Sequence, residues 1–252
     1  MRKTVLITGA TSGFGKAFAQ KFAANNYNVI ITGRRTERLA ALQQELESKY
    51  GIQVLSLTFD VQDKEAVATI IGGLPEGWRN IDVLINNAGL ALGRDYFDEA
   101  SLEDWDTMID TNVKGLLYVS KAVLPYMVAR RQGHIINLGS VAGKEVYEKG
   151  NAYCGTKYAV NALSQAMRID LLRHKIKVTA IHPGAADTEF SSVRFKGNQE
   201  IADKVYEGYE PLKAEDVADI AYYTASLPPH VCINDLIVTC TAQANSIYFY
   251  KE

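Results

Sequence analysis

Thr4-Val5-Leu6-Ile7-Thr8-Gly9-Ala10-Thr11-Ser12-Gly13-Phe14-Gly15 is an apolar, β-branched run that breaks into glycines at 9, 13 and 15. Thr4–Thr8 reads as a strand and Phe14–Asn26 as a helix, so the glycines form the turn between them. Glycine permits positive φ and close backbone approach there. The first turn of the helix offers free N–H groups and a partial positive charge, which suit a dinucleotide pyrophosphate. Gly9, Thr11, Ser12, Gly13, Phe14 and Gly15 are the candidate phosphate cradle. Their spacing, T-G-x-x-x-G-x-G, departs from the G-x-G-x-x-G fingerprint, and a tight turn without ligand is the alternative reading of this motif taken alone.

Outward from that turn, short apolar runs alternate with helical stretches. Strands are expected at Asn28–Thr32, Gln53–Phe59, Asp82–Ile85, His134–Leu138, Lys177–Ile181 and Ile233–Thr239. Helices are expected at Thr36–Tyr50, Asp63–Gly72, Leu102–Asn112, Gly115–Arg131, Ala152–His174 and Glu215–Ser226. Seven strands with intervening helices imply an α/β, Rossmann-type doubly wound parallel sheet flanked by helices in a single domain, residues 1–252. The strands are nearly all apolar, as strands covered on both faces should be. One long irregular stretch runs from Pro183 to about Leu212, and loops of that length are usually lids or binding loops. A substrate lid is therefore expected at about 184–213.

The end of the second strand bears on the choice of cofactor. An acidic residue there would bind the ribose 2′-hydroxyl of NAD. This chain has Gly33-Arg34-Arg35 instead, and two guanidiniums attract a 2′-phosphate. NADP(H) is the expected cofactor. The competing reading is a solvated basic pair opening the second helix, with Arg35 paired to an acid on a neighbouring turn. Asp60, after the third strand, can accept from the adenine amino group; a helix cap is its other reading, although Asp63 fills that place better.

Tyr153 and Lys157 stand four apart on a predicted helix and so share a face. A phenol can donate a proton, and a neighbouring ammonium favours its phenolate and lowers its pKa. With a nicotinamide cofactor, that pair suits carbonyl/alcohol redox chemistry. An ordinary exposed helical pair is the alternative.

Composition narrows the remaining classes. The chain has 252 residues, 47% of them hydrophobic and 22% charged, and a net charge of −2 from 27 basic and 29 acidic residues. There is no basic excess for nucleic acid or anionic membrane. Met1-Arg2-Lys3 resembles a signal-peptide start, but Val5-Leu6-Ile7 is far too short an apolar core. Cys154, Cys232 and Cys240 are odd in number and lack metal spacing, so a reduced cytoplasmic setting is expected, with all three as buried small hydrophobes. The four histidines form no metal pattern, and His134 and His182 are expected to be packed or hydrogen-bonded.

Taken together, these motifs resemble the short-chain dehydrogenase/reductase family over nearly the whole chain. The resemblance rests on Thr8-Gly9-x-x-x-Gly13-x-Gly15, Asp60-Val61, Asn86-Asn87-Ala88-Gly89, Asn112, Ser140, Tyr153-x-x-x-Lys157 and Pro183-Gly184, in the family's order and spacing. Val193-Arg194-Phe195-Lys196-Gly197 and Leu227-Pro228-x-His230-Val231-x-Ile233-Asn234 extend it toward the family's NADP-dependent 3-hydroxy acid and serine dehydrogenases.

The resemblance implies a catalytic set of Asn112, Ser140, Tyr153 and Lys157. Tyr153 exchanges the proton, Ser140 holds the substrate oxygen, Lys157 also contacts the nicotinamide ribose, and Asn112 joins a water-linked relay to Lys157. It implies that Val61, Asn87, Gly89, Pro183, Gly184 and Thr188 join the cofactor site. Asn86 and Asn87 also satisfy backbone groups between strands. It further implies a homo-oligomer, dimer or tetramer, built through Gly115–Arg131 and Ala152–His174. Ile247-Tyr248-Phe249-Tyr250 is too apolar for a free tail and is expected to dock, a partner subunit being one surface for it. Arg194 is the candidate for a substrate carboxylate, with Lys196 in reserve; a subunit contact is the other reading of Arg194. The expected substrate is a small 3-hydroxy acid of the serine, allo-threonine or 3-hydroxyisobutyrate type. A general ketone or aldehyde reductase and a non-catalytic NADP-sensing module are the alternatives.

Overall fold

Strands covered on both faces should be apolar throughout, and the central strands are. β1 (Thr4–Ile7), β4 (Ile81–Asn86), β5 (Gly133–Leu138) and β6 (Ile176–Pro183) are buried almost end to end. β2 (Asn28–Gly33), β3 (Val54–Thr58) and β7 (Asp235–Val238) complete an all-parallel sheet in the order β3-β2-β1-β4-β5-β6-β7. This computed structural model describes residues 2–252, apart from the side chain of Ala202, so Met1 of the basic start lies outside it.

The chain winds outward to β3 and then returns to lay β4 on the other side of β1. Such a reversal leaves a crevice at the carboxyl ends of the strands, where ligands of doubly wound sheets bind. Helices cover both faces. On one side α1 (Gly13–Ala24) lies against α9 (Ala214–Ser226), with Phe22 and Tyr222 edge to face at 5.6 Å. On the other, Val67 and Ile71 of α3 (Lys64–Gly72) pack with Val119, Val123 and Met127 of α5 (Leu116–Arg130). Asp63 caps α3 as expected, accepting from the amides of Glu65 and Ala66. The second helix, α2, spans Thr36–Tyr50.

Two regions differ from the expectation. Leu102–Asn112 and Gly115–Arg131 are not separate helices. α4 (Leu102–Ile109) continues through a π-helical segment, Asp110–Gly115, directly into α5. Nothing in Asp110-Thr111-Asn112-Val113-Lys114-Gly115 stops a helix outright, and a wider turn absorbs the extra residue. Gly115 fits because a Cβ there would lie 2.8 Å from Val61 Cγ2. The second region is the stretch after β6, which holds two short helices, α7 (Glu189–Arg194) and α8 (Gln199–Lys204). Six-residue helices are too short to show a period. Thr188 starts α7 by accepting from the Phe190 amide at 3.2 Å.

α6 (Asn151–Leu171) runs through the expected span and ends in a 3-10 turn, Leu172–His174. The C-terminal segment docks on its own chain: the Phe249 ring lies 5.1 Å from Tyr209, and the Tyr250 amide donates to Ala242 O. Ile247, Tyr248 and Tyr250 remain exposed. Cys154 and Cys240 are buried and Cys232 half-buried, all three as free thiols. Among the described residues no helix is long and apolar enough to cross a membrane, and no His, Cys, Asp and Glu group could hold a metal ion.

Candidate active site

The turn after β1 requires its glycines. Gly9 and Gly13 have φ of 65° and 49°, which L side chains rarely adopt. A Cβ on Gly15 would collide with Gly9 O, so the turn closes tightly on itself. Ser12 makes no side-chain capping bond to α1. Asn87 holds the turn against β4, donating from Nδ2 to Thr8 O at 2.8 Å and to Gly9 O at 3.2 Å. Asn86 instead bridges two side chains, donating to Ser120 and Asn137.

The crevice beside this turn has a volume of about 300 Å³. Gly9, Thr11, Ser12, Gly13 and Phe14 of the turn line it, together with Arg34, Arg35, Asp60 and Val61 and with Asn87, Gly89, Tyr153, Lys157 and Thr188. Gly15 does not line the crevice and packs against Gly9 O and Asn87 Nδ2. Pro183 and Gly184 line an adjoining cavity of about 500 Å³. A Cβ on Gly89 would lie 3.2 Å from Asn112 Oδ1 and 3.6 Å from Lys157 Nζ, so the glycine keeps the crevice open there. Positive-φ glycines, a helix N-terminus and a basic pair in one trough fit a phosphorylated dinucleotide.

The basic pair is asymmetric. Arg34 is largely exposed and touches Asp60 through one nitrogen at 3.3 Å. Arg35 folds over the glycine turn. Its Nε and Nη2 donate to Thr11 Oγ1 at 3.0 and 2.6 Å, and Nη2 also to Ser12 Oγ at 2.9 Å. Its Nη1 meets Glu189 at 3.2 Å, so Arg35 does pair with an acid, though on α7 rather than on a neighbouring turn. Asp60 accepts from the Gln62 amide.

The two cavities meet at Tyr153, with Ser140 lining the larger one and Lys157 the smaller. Ser140 follows β5 and accepts from Ala142 N at 3.1 Å at the start of a 3-10 turn, Val141–Gly143. Tyr153 and Lys157 lie on one face of α6 and are both buried, with Lys157 Nζ 5.9 Å from the Tyr153 ring centre. Burial pushes the Lys157 pKa down to about 8. Lys157 donates to Leu138 O at 2.9 Å. Lys157 does not lower the Tyr153 pKa as expected. Burial, reinforced by Tyr147, pushes the phenol up, against smaller opposing effects of the Ser140 hydrogen bond and Arg194. The phenol is therefore protonated at neutral pH.

Asn112 is buried in the π-helical segment. Its Oδ1 accepts from Leu90 N at 2.9 Å, and its Nδ2 donates to Leu90 O and Thr156 Oγ1. Both amide hydrogens and one acceptor site are thus engaged in bracing, and no hydrogen bond joins the side chain directly to Lys157. Arg194 lines the larger cavity with Ser140 and Tyr153. Its guanidinium carbon lies 5.6 Å from the Tyr153 ring centre, its Nε donates to Gly93 O, and its Nη1 donates to Tyr147 Oη at 3.1 Å. Lys196 is held outside by Asp104 at 2.8 Å.

Sequence reasoning missed three members of this neighbourhood. Tyr147 and Glu189 belong to no spaced motif. Asp235 lies far along the chain from His182, yet reaches His182 Nε2 at 3.2 Å, while Nδ1 lies 3.2 Å from Ser140 O. His182 is buried, and His134 bonds Thr179 Oγ1 at 2.7 Å, so both are hydrogen-bonded core histidines as expected.

The family model for the short chain dehydrogenases matches residues 3–199, and the chain belongs to that family. It is 52% identical over 231 residues to a Salmonella typhi protein named NADP-dependent 3-hydroxy acid dehydrogenase YdfG, covering 91% of this chain and 92% of that one. It is 48% identical to a serine 3-dehydrogenase of Rhizobium radiobacter, covering 94% and 93% of the two chains. The closed form of a serine dehydrogenase complexed with NADP+ superposes with a TM-score of 0.92 at 45% identity, over 99% of each chain.

Proposed function

We propose that this short-chain dehydrogenase is an NADP(H)-dependent oxidoreductase that interconverts a small 3-hydroxy acid, of the serine, allo-threonine or 3-hydroxyisobutyrate type, with its 3-oxo or semialdehyde form. The observation that carries the reading is Arg194, a cation over the Tyr153 ring in the cavity that also holds Ser140. It can pair with a carboxylate while Tyr153 meets the reacting oxygen. Relatives named as 3-hydroxy acid and serine dehydrogenases support it.

When bound, the nicotinamide supplies or accepts the hydride. Tyr153, protonated at neutral pH, donates to the carbonyl oxygen during reduction and takes the proton back during oxidation. The Ser140 hydroxyl orients that oxygen. Lys157 holds the ribose, and Asn112 is a positioning residue that fixes the Leu90 segment. Residues 1–252 act as one domain, with 184–213 as the substrate lid. The chain assembles as a dimer or tetramer through α5 and α6, where Ile169 and, just beyond, Leu172 are each 75% exposed. A panel of hydroxy acids and simple alcohols with NADP, followed by absorbance of the reduced cofactor, tests the reading. Turnover of neutral alcohols equal to that of acids would favour a general carbonyl reductase, which the cavity's Phe190, Phe195 and Phe249 would suit.

Cofactor choice has its own test. NADP should bind more tightly than NAD, and Arg34→Ala should weaken NADP by roughly 1.5–3 kcal/mol, the range for a charge-assisted hydrogen bond. NAD affinity should barely move. Titration of both cofactors into both proteins checks this, and equal binding of the two by the parent refutes it.

Lys157 gives a pH dependence. A base whose pKa burial lowers to about 8 is charged below that pH and neutral above it. NADPH affinity should therefore weaken as pH rises through about 8. Lys157→Met should bind more weakly throughout and lose that dependence. Fluorescence titration between neutral and alkaline pH reads both, and a parent affinity flat across the range counts against the role.

A further inference from the structure

The first residue of the lid helix carries a charge of the wrong sign for a trough expected to take a phosphate. Glu189 opens α7 and lines the same crevice as Arg34 and Arg35. Its Oε2 lies 3.2 Å from Arg35 Nη1, and its two oxygens lie 2.9 and 3.1 Å from Arg38 Nη1. Burial opposes its ionisation, yet the hydrogen bonds from the two arginines hold the carboxyl below its ordinary range. The lid is thus tied through one carboxylate to the trough expected to take a 2′-phosphate.

We propose that Glu189 is a latch that competes with the cofactor's 2′-phosphate for Arg35, so that NADP(H), but not NAD(H), releases the first turn of the lid from that arginine. The inference rests on the cofactor reading above. Its geometric basis is the occupancy of Arg35. Nε and Nη2 are engaged by Thr11 and Ser12, so Nη1 is the one nitrogen the glycine turn leaves for a phosphate, and Glu189 holds it. Release of Glu189 frees Nη1. Arg38 stays within reach of the displaced carboxylate, which gives the latch a second resting place near the trough. Glu189 is about half exposed, at 49%, so the ion pair itself contributes little to stability. Its effect lies in repelling the incoming dianion and in keeping Arg35 occupied. The favourable position of an acid in the first turn of a helix accounts for Glu189 on α7 but not for its reach across to α2.

Glu189→Gln keeps the size and removes the charge. It should tighten NADP(H) by about three- to tenfold at low salt, as expected for the loss of one like charge near a surface site. NAD(H) affinity should stay within about twofold, and the gain should shrink as salt screens the charges. In the parent, hydrogen exchange of the amides at 189–194 should quicken with NADP and not with NAD. A parent protein that prefers NADP, with a Glu189→Gln variant that shows no gain or an equal gain for both cofactors, overturns the latch alone. Unchanged exchange with NADP in such a parent also overturns it. A parent that binds NAD as tightly as NADP overturns the cofactor reading itself.

Discussion

Tyr153→Phe should lower turnover by roughly 10²–10⁴-fold, the usual worth of one general acid–base group. The fold should survive, because the ring that packs with Ala91, Met108, Ala142 and Cys154 is retained and only the hydroxyl goes. Cofactor affinity should hold for the same reason. The structure adds a direction to this expectation. Burial keeps the phenol protonated well above neutral pH, so the residue is poised as a proton donor, and the reduction should lose at least as much as the oxidation. Ser140→Ala is the companion. It removes the hydroxyl beside Tyr153 and should cost less, because the acid remains. Single-turnover rates with reduced cofactor, together with a binding titration, separate chemistry from affinity. Near-parent turnover in Tyr153→Phe, with chemistry rate-limiting, would end the assignment.

The sheet was legible because its strands are buried on both faces. Val83-Leu84-Ile85 and Ile135-Ile136 can hardly be read otherwise once helices alternate with them. The glycine turn and the Tyr153/Lys157 pair were legible because each is a local geometric demand expressed in neighbouring residues. The π-helical segment was not, since a wider turn needs one extra residue and no special residue type. The charge balance of the site was also hidden. Lys157 looks in sequence like the charge that tunes Tyr153, but its Nζ turns to Leu138 O, and burial dominates both groups. Desolvation is a property of the packed fold, which spacing along one helix does not contain. Contacts such as His182 with Asp235 and Arg35 with Glu189 join residues more than fifty apart, each ordinary in its own stretch.

Arg194→Ala should lower kcat/KM for 3-hydroxy acids by roughly 10²–10³-fold, because removing one partner of a desolvated charge pair commonly costs 2–5 kcal/mol. Most of that loss should enter through KM. The guanidinium already has protein partners: Gly93 O on Nε and Tyr147 Oη on Nη1. Those bonds hold it over Tyr153, so a substrate carboxylate meets a preset group rather than a mobile one. They also create the competing explanation, in which the alanine variant merely loosens the proposed lid where Gly93 N donates to Arg194 O. Neutral alcohols of similar size decide between the two. A loosened lid harms every substrate, whereas a lost carboxylate partner harms acids selectively. Arg194→Lys should restore part of the acid activity, since an ammonium carries the charge without the two-pronged fork. Tyr147→Phe should shift acids and alcohols alike, as it removes a brace and no charge. Oligomeric state measured in the same variants tests the subunit-contact reading of Arg194. Equal losses for acids and alcohols, or a loss that follows dissociation of the oligomer, would remove the carboxylate role and with it the strongest structural argument for a hydroxy-acid substrate.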